Sequence, residues 1–239
     1  MAKRPVPSVA ADLADVLLFL TERGIVPVQP SARLAEHAKL IHRATYSLIL
    51  WRFRLSGLPE HAQAFIEEIA SDALQILPQV LMGCTKTAKL LVRGIIENTL
   101  RHIYFSDHPV EFARMNRDRK WHVRMDDLFE YALAHPDFIK TEPKFDAINR
   151  VTTLYSELSG GIHGRTVRDL EMRVALEKIA YDEQSSGKQV VLVERCAEAC
   201  NFMLAVFRRE QFARFEREDR RIILRTMPLG PRRILSEFE

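Results

Sequence analysis

The sequence predicts an all-α protein, and three observations carry the prediction. Apolar residues recur at three- and four-residue spacing through most of the 239 residues. Leu, Ala, Glu and Arg, all good helix formers, dominate the long segments. Gly 9 and Pro 11 are too few for a loop-rich β protein of this length.

Each element follows from its punctuation. Ser8 is placed to N-cap a helix running to about Glu22, which Gly24 and Pro27 stop. After the linker "VPVQP", Ser31 opens a second helix through "LAEHAKLIHRATYSLILWRFRL" to Gly57. Pro59 sits in the first turn of a third, "EHAQAFIEEIASDALQIL", expected to end at Pro78. A long fourth helix is expected from about Thr85 to Ser106. "DHPVEFARMNRDRKWHVRMDDLFEYALAH" then reads as a short helix, a charged connection and a helix ending near Pro136. "EPKFDAINRVTTLYSELS" is helical up to Gly160, and Gly187 is expected to separate a further segment from the last long helix, "QVVLVERCAEACNFMLAVFRREQFARF".

Composition limits the classes of function. The formal net charge of +3 makes no demand for a nucleic-acid partner, so any basic signal is local. Cys84, Cys196 and Cys200 form an odd set without metal-ligand spacing, and Cys196 and Cys200, four apart on a helix, suit a core stripe. No metal or cofactor is expected. The apolar run "VLLFL" follows Asp12 and Asp15, is too short for a signal peptide and precedes no cleavage site. No segment reaches the roughly 18 apolar residues of a membrane span. The expectation is a cytoplasmic protein.

Local charge collects in two places. Arg208 to Arg233 holds nine Arg against four acidic residues, Arg220 and Arg221 among them. That run reads either as a solvated helix face with i,i+4 pairs or as an RNA- or partner-binding tail. The connection "RMNRDRKWHVR" places Arg117, Arg119 and Lys120 beside Trp121, which either stacks a base or anchors the loop on the core.

Two stretches carry candidate chemistry. In "LLVRGIIENTLRH", Arg93, Glu97 and Arg101 form one four-residue row and Asn98 with His102 a neighbouring one. The rows are either an internal ion-pair network or a polar face lining a cleft. In "LYSELSGGIHGRT", Gly160 and Gly161 are expected to end a helix so that His163 projects from a turn. There it serves as general acid or base, or as a hydrogen-bonded structural residue. Arg165 either holds a phosphate or pairs with Asp169. The sequence offers no P-loop, no nucleophile elbow and no metal-ligand spacing.

Taken together, "LLVRGIIENTLRHIYFSDHPVEF" and "LYSELSGGIHG" resemble the HEPN-like all-α family, in members with an R-x-x-x-E-N helix and a Y-x-x-L-S-x-x-x-H segment. The resemblance implies an N-terminal helical extension over 1–79, a HEPN-like helical bundle over 80–215 and an Arg-rich tail over 216–239. It also implies a homodimer, RNA as a ligand, a protein partner encoded nearby, and a role in toxin-antitoxin or antiviral defence. In the active family pattern, R-x4-6-H, the arginine stabilises the phosphorane while the histidine moves protons during 2′-hydroxyl attack. His163 matches the histidine, whereas the arginine positions hold Leu158, Glu157 and Ser156. A metal-independent ribonuclease would then draw its arginine from Arg93, Arg150, Arg165 or a second subunit, with Glu97 and His102 completing the site. The alternative implied is a catalytically inactive module that binds RNA, a nucleotide or a protein through the same cleft.

Overall fold

Capping serines open the first two helices. In the computed structural model, which describes residues 8–163 and 179–236, Ser8 accepts a hydrogen bond from the Ala11 amide and Ser31 one from the Leu34 amide. They open α1 (Val9–Glu22) and α2 (Ala32–Arg54). There follow α3 (Glu60–Leu81), α4 (Thr85–Asp107), α5 (Pro109–Arg117), α6 (Met125–Ala134) and the one-turn α7 (Pro136–Ile139) and α8 (Glu142–Phe145). α9 (Ala147–His163) and α10 (Glu183–Phe207) complete the bundle, and α11 (Arg209–Ala213), α12 (Arg217–Arg225) and α13 (Leu229–Ser236) close the chain. Among the described residues there is no strand.

Three expected helix breaks do not occur. α3 continues past Pro78, because Val80 and Leu81 are buried and repay the one lost backbone bond. The helix ends instead at Gly83, whose φ of 79° lets Gly83 N bond Val80 O and Cys84 N bond Gln79 O. Gly187 lies inside α10, which begins earlier because Asp182 accepts from the Ser185 amide at 2.7 Å. Gly160 and Gly161 lie within α9, which runs to His163 at the edge of the described residues, so neither glycine ends the helix. Nothing would meet a side chain at Gly160, so no steric demand for glycine exists there.

Ion pairs and hydrogen bonds fix the helix directions. Arg43–Glu194 and Trp51–Asn201 align α2 parallel to α10, and Cys196–Val92 with Arg208–His102 align α4 parallel to α10. Arg150–Glu198 and Glu157–Arg195 run α9 antiparallel to α10, and therefore antiparallel to α4. The core is continuous from Leu20 and Ile41 through Ile96 and Val193 to Ile223 and Leu235. It crosses the boundaries expected near residues 80 and 216: α2 and α3 share the bundle's core, α12 packs on α2, and Ile222 and Ile223 of α12 belong to the same core. Cys196 and Cys200 are free and buried, with sulfurs 3.9 Å apart.

Asn201, fully buried on α10, joins the ends of the chain. Its Oδ1 accepts from Trp51 Nε1 at 2.8 Å, and its Nδ2 donates to Ser47 Oγ at 2.7 Å and to Thr226 Oγ1 at 3.1 Å. Phe212 and Phe215 then pack on the Trp51 ring at centroid distances of 5.5 and 5.1 Å. Asn201→Ala should lower the unfolding free energy by about 2–4 kcal/mol, because it strands the buried Trp51 N–H and opens a small void. Urea denaturation measures this; a loss below about 1 kcal/mol would mean the bonds carry little net stability.

Candidate functional site

The α4 row is built as the spacing predicts, and α9 completes it. Arg93 Nε donates to Glu97 Oε1 at 2.9 Å, and Arg93 Nη2 donates to Tyr155 Oη at 2.8 Å. Tyr155 in turn donates to Glu97 Oε1 at 3.0 Å, and Arg101 approaches Glu97 Oε2 at 3.6 Å. Arg93 and Glu97 are about four-fifths buried, so the triangle is a sheltered charge pair closed by a phenol. Burial and the Glu97 charge raise the Tyr155 pKa, which keeps its proton on and its donor role fixed.

Asp72 on α3 joins this cluster and was not legible in the sequence. It lies against Gly94, where an added Cβ would meet its carboxylate and push that side chain aside. Its carboxyl is pushed up to about 6, first by burial and then by Glu68 and Glu97, against a hydrogen bond with Asn98. The one available signal was a glycine in the middle of a strongly apolar helix.

His102 does not share this cluster. It faces α3 and α10 and is fully buried, with Nδ1 2.9 Å from Ala62 O and Nε2 3.0 Å from Arg208 Nε. Arg208 Nη2 continues to Ser106 Oγ at 2.5 Å. Burial, then the Arg208 charge, holds the imidazole down at about 3. It is therefore neutral, donating from Nδ1 to the Ala62 carbonyl and accepting at Nε2 from the guanidinium. Nearby, Asp107 accepts from Tyr131 Oη at 2.6 Å and pairs with His135 Nε2 at 3.1 Å.

His163 is the last residue of α9, eight residues beyond Tyr155 and thus about 12 Å further along the axis. Its side chain, like Arg165, lies outside the described residues. Arg150 is occupied by Glu198 at 3.0 Å and rests on the Phe145 ring. Arg93 and Glu97 are thus brought together with Tyr155, and His102 is set apart.

The basic connection between α5 and α6 lies near the opposite end of α4. Trp121 packs on the Phe65–Phe105–Phe112 cluster, with the Arg114 guanidinium 5.2 Å from its ring centroid. Asp118 fixes the turn, its carbonyl accepting from Trp121 N and its Oδ1 from Lys120 N, both at 3.0 Å. Arg117, Arg119 and Lys120 are exposed and make no ion pair among the described residues. In the C-terminal arginine run, by contrast, Arg221 pairs with Glu218 at 2.8 Å, Arg220 is half-buried, and Arg54 of α2 holds Asp219.

Among the described residues no group of three or more His, Cys, Asp or Glu is placed to hold a metal ion, and no helix is long and apolar enough to cross a membrane. No family model, curated protein or solved structure matches the chain.

A pH dependence follows from His102. The unfolded chain takes up a proton near pH 6.5, whereas the folded chain refuses it until about 3, so stability falls as pH drops from 6.5 toward 3. His102→Gln should flatten the dependence of unfolding free energy on pH between pH 7 and 5 by up to about one proton. Parallel slopes for the two proteins, compared by denaturant titration, would refute the neutral, buried imidazole.

Proposed function

We propose that this chain is a HEPN-like helical module that binds RNA through the connection between α5 and α6, working as a homodimer in a toxin- or defence-type system. The observation that carries the binding is the set of three exposed, unpaired cations, Arg117, Arg119 and Lys120, on a turn held rigid by Trp121 and Asp118. Cations already free of carboxylates lose no ion pair when they meet phosphates, and a pre-ordered turn loses little entropy on binding. Trp121 acts here as the anchor of the turn, its ring shared between the phenylalanine cluster and Arg114.

Metal-independent ribonuclease action is the second reading, favoured by the α9 register, which carries Tyr155, Ser159 and His163 at four-residue steps. It is the weaker one for this chain, because Arg93 is engaged by Glu97 and Tyr155 two helical turns from His163.

Fluorescence anisotropy with an unstructured single-stranded RNA tests the binding. Replacing Arg117, Arg119 and Lys120 together by Glu should weaken it at least about tenfold and flatten its logarithmic salt dependence by about 2. Arg221→Ala, which leaves the turn intact, should change it little. Equal affinity in the triple variant would sink the proposal. Cleavage in EDTA that disappears with His163→Ala would instead establish the ribonuclease reading.

A further inference from the structure

We infer, resting on the reading that the connection between α5 and α6 binds RNA, that its substrate is a paired segment of RNA in preference to a single strand. The turn meets the phosphate backbones of the double helix and none of its bases.

Proteins that hold single strands combine positive charge with aromatic faces on which successive unpaired bases stack. Between Arg114 and Arg124 the sequence holds one aromatic residue, Trp121, and one further ring, His122. The Trp121 indole packs on the cluster of Phe65, Phe105 and Phe112, and the Arg114 guanidinium lies over its ring, 5.2 Å from the centroid. Its backbone amide is bonded to the Asp118 carbonyl at 3.0 Å. A base would reach that indole only by displacing Arg114 or by pulling the turn off the phenylalanines. His122 is exposed, with Nδ1 3.3 Å from the Lys120 carbonyl, and one small imidazole supplies little of the stacking that a run of bases needs.

The cations are suited to phosphates instead. Arg117 in the last turn of α5, with Arg119 and Lys120 beyond it, offers only N–H donors and positive charge, and none of the three makes an ion pair among the described residues. The one carboxylate between them, Asp118, is engaged by the turn itself, its Oδ1 accepting from the Lys120 amide at 3.0 Å. Base edges are told apart by a mixture of donors and acceptors, whereas phosphates ask only for donors and charge. A double helix carries about twice as many phosphates per unit length as one of its strands. Paired RNA is moreover recognised through its shape and backbone, and it is already rigid, like the turn that meets it. A single strand would have to be ordered along the cations with no stacking to offset the lost entropy.

Fluorescence anisotropy of the full chain with a blunt-ended RNA duplex, and with either of its strands alone, tests the preference at one ionic strength. The duplex should bind at least about fivefold tighter, and changing its base sequence at constant length should move the affinity by less than about twofold. The single strand should leave tryptophan emission unquenched, because no base reaches Trp121 and Trp51 is buried in the core. His122→Ala should leave both affinities unchanged, and the triple glutamate variant at Arg117, Arg119 and Lys120 should bind both RNAs more weakly. A single strand that binds as tightly as the duplex, or that quenches tryptophan emission, while losing affinity in the triple variant would overturn the preference and leave RNA binding standing. Failure of both RNAs to bind the folded wild type, or affinities unchanged in the triple variant, would overturn the RNA-binding reading and the preference with it.

Discussion

The carboxamide of Asn201 is the constraint on which the rest of the structure depends. It satisfies the indole N–H of Trp51 on α2, the hydroxyl of Ser47, and Thr226 just past α12, all from the centre of α10. Each of those groups is buried or half-buried, and each would be destabilising without its partner. One residue therefore sets the register of the first long helix against the last and docks the C-terminal arginine run on both. With α12 held there, Arg221 pairs with Glu218, and Arg54 of α2 turns to Asp219. That pairing sets Arg221 apart from Arg117, Arg119 and Lys120 near the connection between α5 and α6, which make no ion pair among the described residues.

α4 organises the polar chemistry because it carries sheltered polar side chains on two of its faces. Arg93, Glu97 and Tyr155 close on one another, and His102 closes with Ala62 and Arg208 on a different face. In both places a charge is sheltered only where a partner of matching geometry is fixed beside it, which is the condition under which burying charge is tolerable. The two ends of the helix differ from its middle. At the C-terminal end the chain turns through α5 into an exposed basic loop, and at the N-terminal end Cys84 stands at the N-cap without a side-chain capping bond.

Much of this was readable beforehand, and the misreadings share a cause. Ser8 and Ser31 were legible as caps because the signal lies within four residues of the event. The Arg93–Glu97–Arg101 row was legible because helical periodicity alone creates it. Pro78, Gly160 and Gly187 were read as stops, yet all three lie within helices, because tertiary burial of neighbours such as Val80, Leu158 and Val190 outweighs a propensity of about 1–3 kcal/mol. Periodicity also placed His102 in a row next to Glu97 without saying which helix that row would face. Asp72 over Gly94 and Asn201 under Trp51 are pairings between residues 22 and 150 positions apart, and no local pattern announces them.

The state of each arginine separates the two functional readings more sharply than the presence of a histidine does. A guanidinium that is to stabilise a developing phosphorane must be ordered near the reacting atoms and yet available to them. Arg93 is ordered, but both its Nε and its Nη2 are spent on Glu97 and Tyr155, and releasing it would take its charge-assisted hydrogen bond from the sheltered Glu97 carboxylate at about 1–3 kcal/mol. Arg150 is likewise held by Glu198. Arg117 and Arg119 are available and sit on an ordered turn, but at the far end of α4 from His163. Within one protomer, then, the described cations best suited to meet a phosphate backbone are not the ones beside the histidine, and binding is the chemistry that requires no rearrangement of the fold.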